Sequence, residues 1–78
     1  MTDSIHTAEY KRFLERLRKA RSDAKLTQAQ VAEALGQPQS FVSKCESGER
    51  RVDVVELLWF ARAFGHSPSY FIKGLGEE

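Results

Sequence analysis

The sequence predicts an all-α domain, a compact bundle of five helices. Apolar residues recur at steps of three and four along each periodic segment, which is the spacing of one helical face. Capping patterns precede two of these segments, as Thr27-x-x-Gln30 and Asp53-x-x-Glu56. The sequence has no run of alternating apolar and polar residues of the kind that forms a half-buried strand. Residues 1–78 are therefore expected to form a single domain, with frayed ends over 1–6 and 74–78.

The first two helices each follow a threonine. Helix one is expected from about Ala8 to Asp23, with Thr7 as its N-cap and a buried face of Tyr10, Phe13, Leu14 and Leu17. Helix two follows the Thr27 capping box, and Gly36 is expected to end it in a left-handed conformation. Its inward residues are Val31, Ala32 and Leu35.

Proline and glycine punctuate the remaining helices. Helix three is expected from Pro38 or Gln39 to Glu46, since proline is favoured at a helix start. Its buried side is Val42 and Cys45, assisted by part of Phe41. Asp53 caps helix four, which runs to a stop at Gly65. A short fifth helix, capped by Ser67 and Pro68, contains Tyr70, Phe71 and Ile72.

The composition excludes several classes of function. Cys45 is the only cysteine, so neither an internal disulfide nor a thiol metal cluster is possible. His6 and His66 have no ligand-type residue at metal-binding spacing, and no nucleophile pairs with a base. We therefore expect no metal, no cofactor and no enzymatic activity.

The chain also lacks a signal peptide and a membrane-spanning run, which predicts a soluble cytoplasmic protein. It has no room for a small-molecule effector domain.

The net charge of +1 conceals a regional excess. Residues 10–51 carry ten Lys or Arg against five Asp or Glu, whereas residues 1–9 and residues 52–78 each sum to −2. A regional excess of cations of this kind is what phosphate binding requires. The segment KRFLERLRKAR alone is better explained as a solvated face, because acidic residues interrupt it.

Helices two and three have the spacing of a helix-turn-helix. Ala32 leaves room where the two helices cross, Gly36 permits a positive φ in the turn, and Val42 anchors the second helix on the first. Each residue alone is a weak signal. All three within so short a segment, about residues 27–46, predict the motif strongly.

From helix one to helix five the chain resembles the phage repressor and Cro type of helix-turn-helix protein, also called the xenobiotic-response-element (XRE) family. The matching segments are LTQAQVAEALG, QSFVSKCESGERR and DVVELLWFARAFG. The resemblance implies a lambda-repressor-like DNA-binding domain. It also implies that the helix opened by Gln39 enters the major groove, and that the helix opened by Gln28 abuts the DNA backbone at its N-terminus.

The third helix carries small hydrogen-bonding side chains on the side opposite Val42 and Cys45. They are Gln39, Ser40, Ser43 and Lys44, the predicted base contacts. Glutamine can pair with adenine, lysine with guanine or phosphate, and serine with either base or phosphate. Phe41 is expected to press on a thymine methyl from the flank. Helix capping alone would also explain Gln39 and Ser40.

Phosphate contacts are expected around this helix. Gln28 lies in the first turn of helix two, where free N–H groups favour an anion. Arg50 and Arg51 are expected to form a second clamp, to which Lys44 or Lys25 adds. The resemblance further implies a structural ion pair between Arg21 and Glu46.

One copy of so small a domain contacts few base pairs, so a homodimer on a near-palindromic operator is expected. The predicted dimer surface is C-terminal and consists of Phe60, Phe64, Tyr70, Phe71, Ile72 and Leu75, although these residues could instead complete the core. The predicted function is a sequence-specific double-stranded DNA-binding transcriptional regulator of prokaryotic or phage type. The alternative is a protein-interaction module on the same scaffold, such as an antitoxin or a polymerase-binding partner.

Overall fold

A computed structural model describes residues 6–77 of the chain. The helices are α1 (Ala8–Asp23), α2 (Gln28–Leu35), α3 (Gln39–Ser47), α4 (Val54–Phe64) and α5 (Ser69–Ile72). Within the described range there is no strand, and the all-α prediction is confirmed. Of the predicted frayed ends, residues 1–5 and 78 lie outside the described residues.

Local capping explains where the first, second and fourth helices begin. Thr7 accepts from the backbone N–H of Tyr10 at the start of α1. Thr27 and Asp53 each form the predicted capping box, with side-chain and backbone bonds in both directions. At α5 the N-cap is Pro68, which makes no side-chain capping bond, so Ser67 does not cap this helix as predicted.

The turn between α2 and α3 forms as the sequence predicts. Gly36 has a φ of 67°, and the N–H of Gln37 donates back to the carbonyl of Ala32 at 2.9 Å. Ala32 is 3% exposed and Val42 is fully buried, so these two residues seat one helix against the other. The motif predicted at about residues 27–46 is thus a rigid pair of packed helices.

The core contains side chains from every helix, with aromatic rings at its centre. Phe60 stacks on Phe41 at a centroid distance of 6.1 Å, and Phe71 meets Phe13 edge-on at 6.4 Å. Leu17, Val31, Val42 and Cys45 are also fully buried.

The predicted C-terminal dimer surface is wrong at its three phenylalanines, for which the alternative of a core role holds. Phe60 and Phe71 are fully buried and Phe64 is 9% exposed, so all three complete the core of the single chain. Tyr70 and Leu75 are half-buried, and only Ile72 of the predicted set is well exposed. The exposed large apolar side chains of the described chain are instead Val54, Val55, Leu58 and Ile72.

Candidate nucleic-acid interface

The exposed side of α3 brings the four predicted base-contacting residues together. Gln39, Ser40, Ser43 and Lys44 are all exposed. The opposite side of the helix is buried, with Val42 and Cys45 fully enclosed and Glu46 4% exposed. Because α3 is fixed along this whole buried side, its exposed polar side chains project from a rigid support. Their contact with DNA remains a prediction.

Phe41 is a core residue rather than a flanking DNA contact, contrary to the sequence prediction. It is 9% exposed, and its ring lies nearly parallel to that of Phe60, with an interplanar angle of 8°. The guanidinium of Arg50 also lies over the Phe41 ring, at 4.7 Å from its centroid. An aromatic ring enclosed in this way is not available to a thymine methyl.

The predicted ion pair between Arg21 and Glu46 is present and is bidentate. Arg21 Nε donates to Glu46 Oε2 at 2.6 Å, and Arg21 Nη2 donates to Glu46 Oε1 at 3.1 Å. Arg18 Nη1 also donates to the main-chain carbonyl of Glu46 at 2.7 Å. Two arginines of α1 therefore hold the C-terminal turn of α3.

Gln28 has a structural contact that sequence reasoning missed. Its Nε2 donates to Glu46 Oε1 at 3.0 Å, so the side chain connects α2 with α3. The backbone of Gln28 still lies at the N-terminus of α2, where the helix dipole favours an anion. The predicted phosphate contact at this residue is thus best assigned to its backbone N–H rather than to its side-chain amide.

Lys25 lies beside this N-terminus in an unusual backbone conformation. Its φ is 59°, the only positive φ of a non-glycine residue in the described chain. The N–H of Leu26, the next residue, donates back to the carbonyl of Arg21 at 3.2 Å and closes the end of α1. Lys25, Gln28 and Gln39 line one open cavity of about 560 Å³, so the predicted phosphate and base contacts are neighbours.

Arg50, a predicted phosphate contact, has its guanidinium engaged within the protein. Its two terminal nitrogens donate to the two carboxylate oxygens of Glu56, each at 2.8 Å. This pairing holds the pKa of the Glu56 carboxyl below its usual value and raises the pKa of Arg50. The guanidinium of Arg50 is thus committed to Glu56, and the phosphate contacts expected of Arg50 and Arg51 stay predictions.

The sequence only weakly indicates the pairing of Arg50 with Glu56. Glu56 was recognisable as the second member of the Asp53 capping box, a local pattern that is complete without an arginine. Glu56 is only 6% exposed, and a carboxylate buried to this extent requires a cation as its partner. Counting back from Glu56 along the sequence, Arg50 is the second cation, after Arg51. Burial of Glu56 is the fact that the sequence did not supply.

Comparison with known proteins agrees with this geometry. A family model described as a helix-turn-helix domain matches residues 12–69, which is most of the chain. Among solved structures, the chain is similar to an XRE-family like protein from Pseudomonas syringae pv. tomato str. DC3000. The two are 46% identical with a TM-score of 0.84, and the match covers 95% of this chain and 90% of that one. No curated protein matches. The chain therefore belongs to the XRE type of helix-turn-helix family, whose members are DNA-binding regulators.

Proposed function

We propose that this protein is a sequence-specific double-stranded DNA-binding transcriptional regulator that inserts α3 into the major groove. The observation that carries the proposal is the exposed polar side of α3, formed by Gln39, Ser40, Ser43 and Lys44 opposite a fully buried side. A helix of this width fits the major groove, where each base pair presents a distinct pattern of donors and acceptors.

The surroundings of α3 supply the affinity that does not depend on sequence. The N-terminus of α2 and the ammonium of Lys25 flank the Gln39 end of the helix, and Arg51 follows its other end. Contacts of this kind fix the register of a protein on a duplex without discriminating between bases.

Within residues 6–77, no helix combines the length and apolarity needed to cross a bilayer.

A homodimer is part of the proposal, on a surface that keeps Ile72 and Leu75 of the predicted set but not its buried phenylalanines. Val54, Val55 and Leu58 lie on one side of α4 with exposed fractions of 75%, 55% and 39%. Val54 also borders an open groove of about 420 Å³ that Ile72 and Leu75 line. An exposed apolar surface of this kind suits contact with a second copy, and two copies suit a near-palindromic operator.

Binding to DNA at graded salt concentration tests the proposal. A fluorescently labelled random-sequence duplex is titrated with the protein in about 50 to 200 mM KCl, and the logarithm of the affinity is plotted against that of the salt concentration. We expect a steep linear decrease, followed by recovery of a preferred sequence when the protein selects from a random pool. A protein-interaction module would show no salt-dependent binding to the duplex, and that result would reject the proposal.

A further inference from the structure

The loop between α3 and α4, residues 48–53, is organised around the guanidinium of Arg50. Arg50 Nη1 lies 2.8 Å from Glu56 Oε1, 3.1 Å from the carbonyl of Arg51 and 4.0 Å from Cys45 Sγ. Arg50 Nη2 donates to Glu56 Oε2 at 2.8 Å. Together with the contact to the Phe41 ring, one side chain thereby joins the core of α3, the loop and α4.

Glu56 is equally committed on its side. Its Oε1 accepts from Arg50 and from the backbone N–H of Asp53 at 3.0 Å, and its Oε2 accepts from Arg50. The side chain is 8% exposed, whereas that of Arg50 is 42% exposed. If Arg50 moved away, the nearly buried carboxylate of Glu56 would lose its partner with no water to replace it. Because that loss is costly, Glu56 holds Arg50 in place.

Arg50 is also bonded to the backbone of α3, at one of the exposed residues of that helix. The backbone N–H of Arg50 donates to the carbonyl of Lys44 at 3.1 Å, beyond the last turn of the helix. Phe41 and Cys45, which the guanidinium contacts, alternate along α3 with exposed Ser40, Ser43 and Lys44. At the other end of the loop, the N–H of Val52 donates to the hydroxyl of Tyr10 in α1 at 2.8 Å.

From these contacts we propose that Arg50 is a positioning residue that orients the DNA-facing side of α3 through Glu56, and that it is not a phosphate ligand. The proposal rests on the proposed function, because it assigns a role within the same DNA-binding surface. The two roles make opposite predictions for a substitution that removes the charge of Glu56. If Arg50 is a positioning residue, the substitution disorders it and weakens DNA binding. If Arg50 is a phosphate ligand, the substitution frees it and strengthens DNA binding.

Glu56→Gln is the decisive variant, since it keeps the size of the side chain and removes one acceptor facing the guanidinium. Glu49→Gln is the matched control, because Glu49 is an exposed acid in the same loop and its loss changes the net charge equally. Both variants and the wild type are titrated against a duplex selected by the wild type and against a random-sequence duplex. All titrations are made well below the unfolding temperature of each protein.

We expect Glu56→Gln to weaken binding to the selected duplex roughly 2- to 30-fold, the range for substitutions that act on a site without touching its ligand. The salt dependence on the random duplex stays that of the Glu49→Gln control. Tighter binding by Glu56→Gln than by Glu49→Gln, with a salt slope steeper by about one unit, would instead identify Arg50 as a phosphate ligand and overturn the proposal.

Amide hydrogen exchange in the free protein supplies a readout that does not involve DNA. We expect Glu56→Gln to accelerate exchange of the Arg50 N–H, which bonds the Lys44 carbonyl, and to leave the amides in the middle of α1 unchanged. Unchanged exchange at Arg50 would overturn the positioning role whatever the DNA result. A wild-type chain that binds neither duplex would instead reject the proposed function itself, so the two failures are distinguishable.

Discussion

Arg21 of α1 and Glu46 of α3 form a bidentate ion pair, with Nε to Oε2 at 2.6 Å and Nη2 to Oε1 at 3.1 Å. The Glu46 side chain is 4% exposed and that of Arg21 is 24% exposed. Gln28 adds a third donor to the same carboxylate. The pair therefore fixes α3 to α1 at a site that is almost closed to water.

Loss of Arg21 is expected to leave the Glu46 carboxylate buried without its main partner. Arg21→Ala should lower the free energy of unfolding by about 3 kcal/mol, the lower end of the range for a broken buried pair because Arg21 is partly exposed. Thermal and urea unfolding measure this. Lys19→Ala is the control: it removes an exposed ion pair to Asp23 in the same helix and should leave the unfolding midpoint nearly unchanged. Equal effects of the two substitutions would contradict the account.

Substitution of Lys25 by glycine is expected to change protein stability and DNA affinity in opposite directions. Its positive φ of 59° is strained for a side chain with a Cβ, so Lys25→Gly should raise the free energy of unfolding by about 1 kcal/mol. The same substitution should weaken binding to every duplex and reduce the salt slope by about one unit. Lys25→Ala removes the charge but keeps the strain, and we expect it to lose affinity without the gain in stability. If Lys25→Gly bound DNA as well as the wild type, this lysine would have no part in phosphate binding.

Gln39 is expected to affect sequence preference rather than general affinity. A bidentate pair between an amide and adenine contributes about 1–3 kcal/mol of discrimination against the wrong base. Gln39→Ala should therefore flatten the preference at one base-pair position when duplexes are selected from a random pool. Lys25→Ala serves as the contrast, because it should leave the selected sequence intact. Since Gln39 makes no capping bond in α3, an unaltered preference in Gln39→Ala would show that this side chain does not contact a base.

Acid should destabilise the protein partly through Glu56. Its pKa is lowered by the hydrogen bonds from Arg50 and by the backbone N–H of Asp53, so its folded-state pKa lies below the usual 4.5. A carboxyl whose pKa is lower in the folded than in the unfolded protein stabilises the fold fully at pH values above its unfolded-state pKa. This stabilisation disappears as the pH falls through the folded-state pKa. The wild type should thus exceed Glu56→Gln in stability from pH 7 down to about pH 5, and the difference should close below pH 4.5. A difference that stayed constant at lower pH would contradict this assignment.

The apolar side of α4 should mediate self-association. Val54→Glu places a charge on the most exposed of the four large apolar side chains, and it should lower the dimer fraction that we expect of the wild type in sedimentation velocity. Ala29→Glu is a matched control, since Ala29 is exposed on α2 and lines a cavity that contains no residue of α4. A wild-type monomer at micromolar concentration would argue against the dimer, and equal dissociation by both variants would argue against this surface.

Features set by local interactions were predictable from the sequence. The Thr27 and Asp53 capping boxes and the left-handed Gly36 depend on residues within one turn, so the bounds of α2 and the start of α4 agree with the structure. The exposed polar side of α3 was predictable for the same reason, because helical periodicity alone separates Gln39 from Val42.

Features set by packing between distant segments were not predictable in this way. Aromatic residues of α4 and α5 such as Phe60 and Phe71 are buried because rings from α3 and α1 meet them, and hydrophobicity alone does not distinguish a core residue from an interface residue. The same holds for Arg50, whose charge suggested a phosphate contact until the buried Glu56 gave it an internal partner. The pairing of Arg21 with Glu46 came from family resemblance and not from any pattern in the residues themselves.

The exposed side of α3 is the surface proposed to meet DNA, and backbone chemical-shift mapping by NMR tests this most directly. A selected duplex is added to the isotopically labelled protein, and amide shifts are followed along the chain. We expect the largest changes at Gln39, Ser40, Ser43 and Lys44, with smaller changes at the N-terminus of α2. Changes concentrated on the apolar side of α4, with the α3 amides unmoved, would contradict the claim.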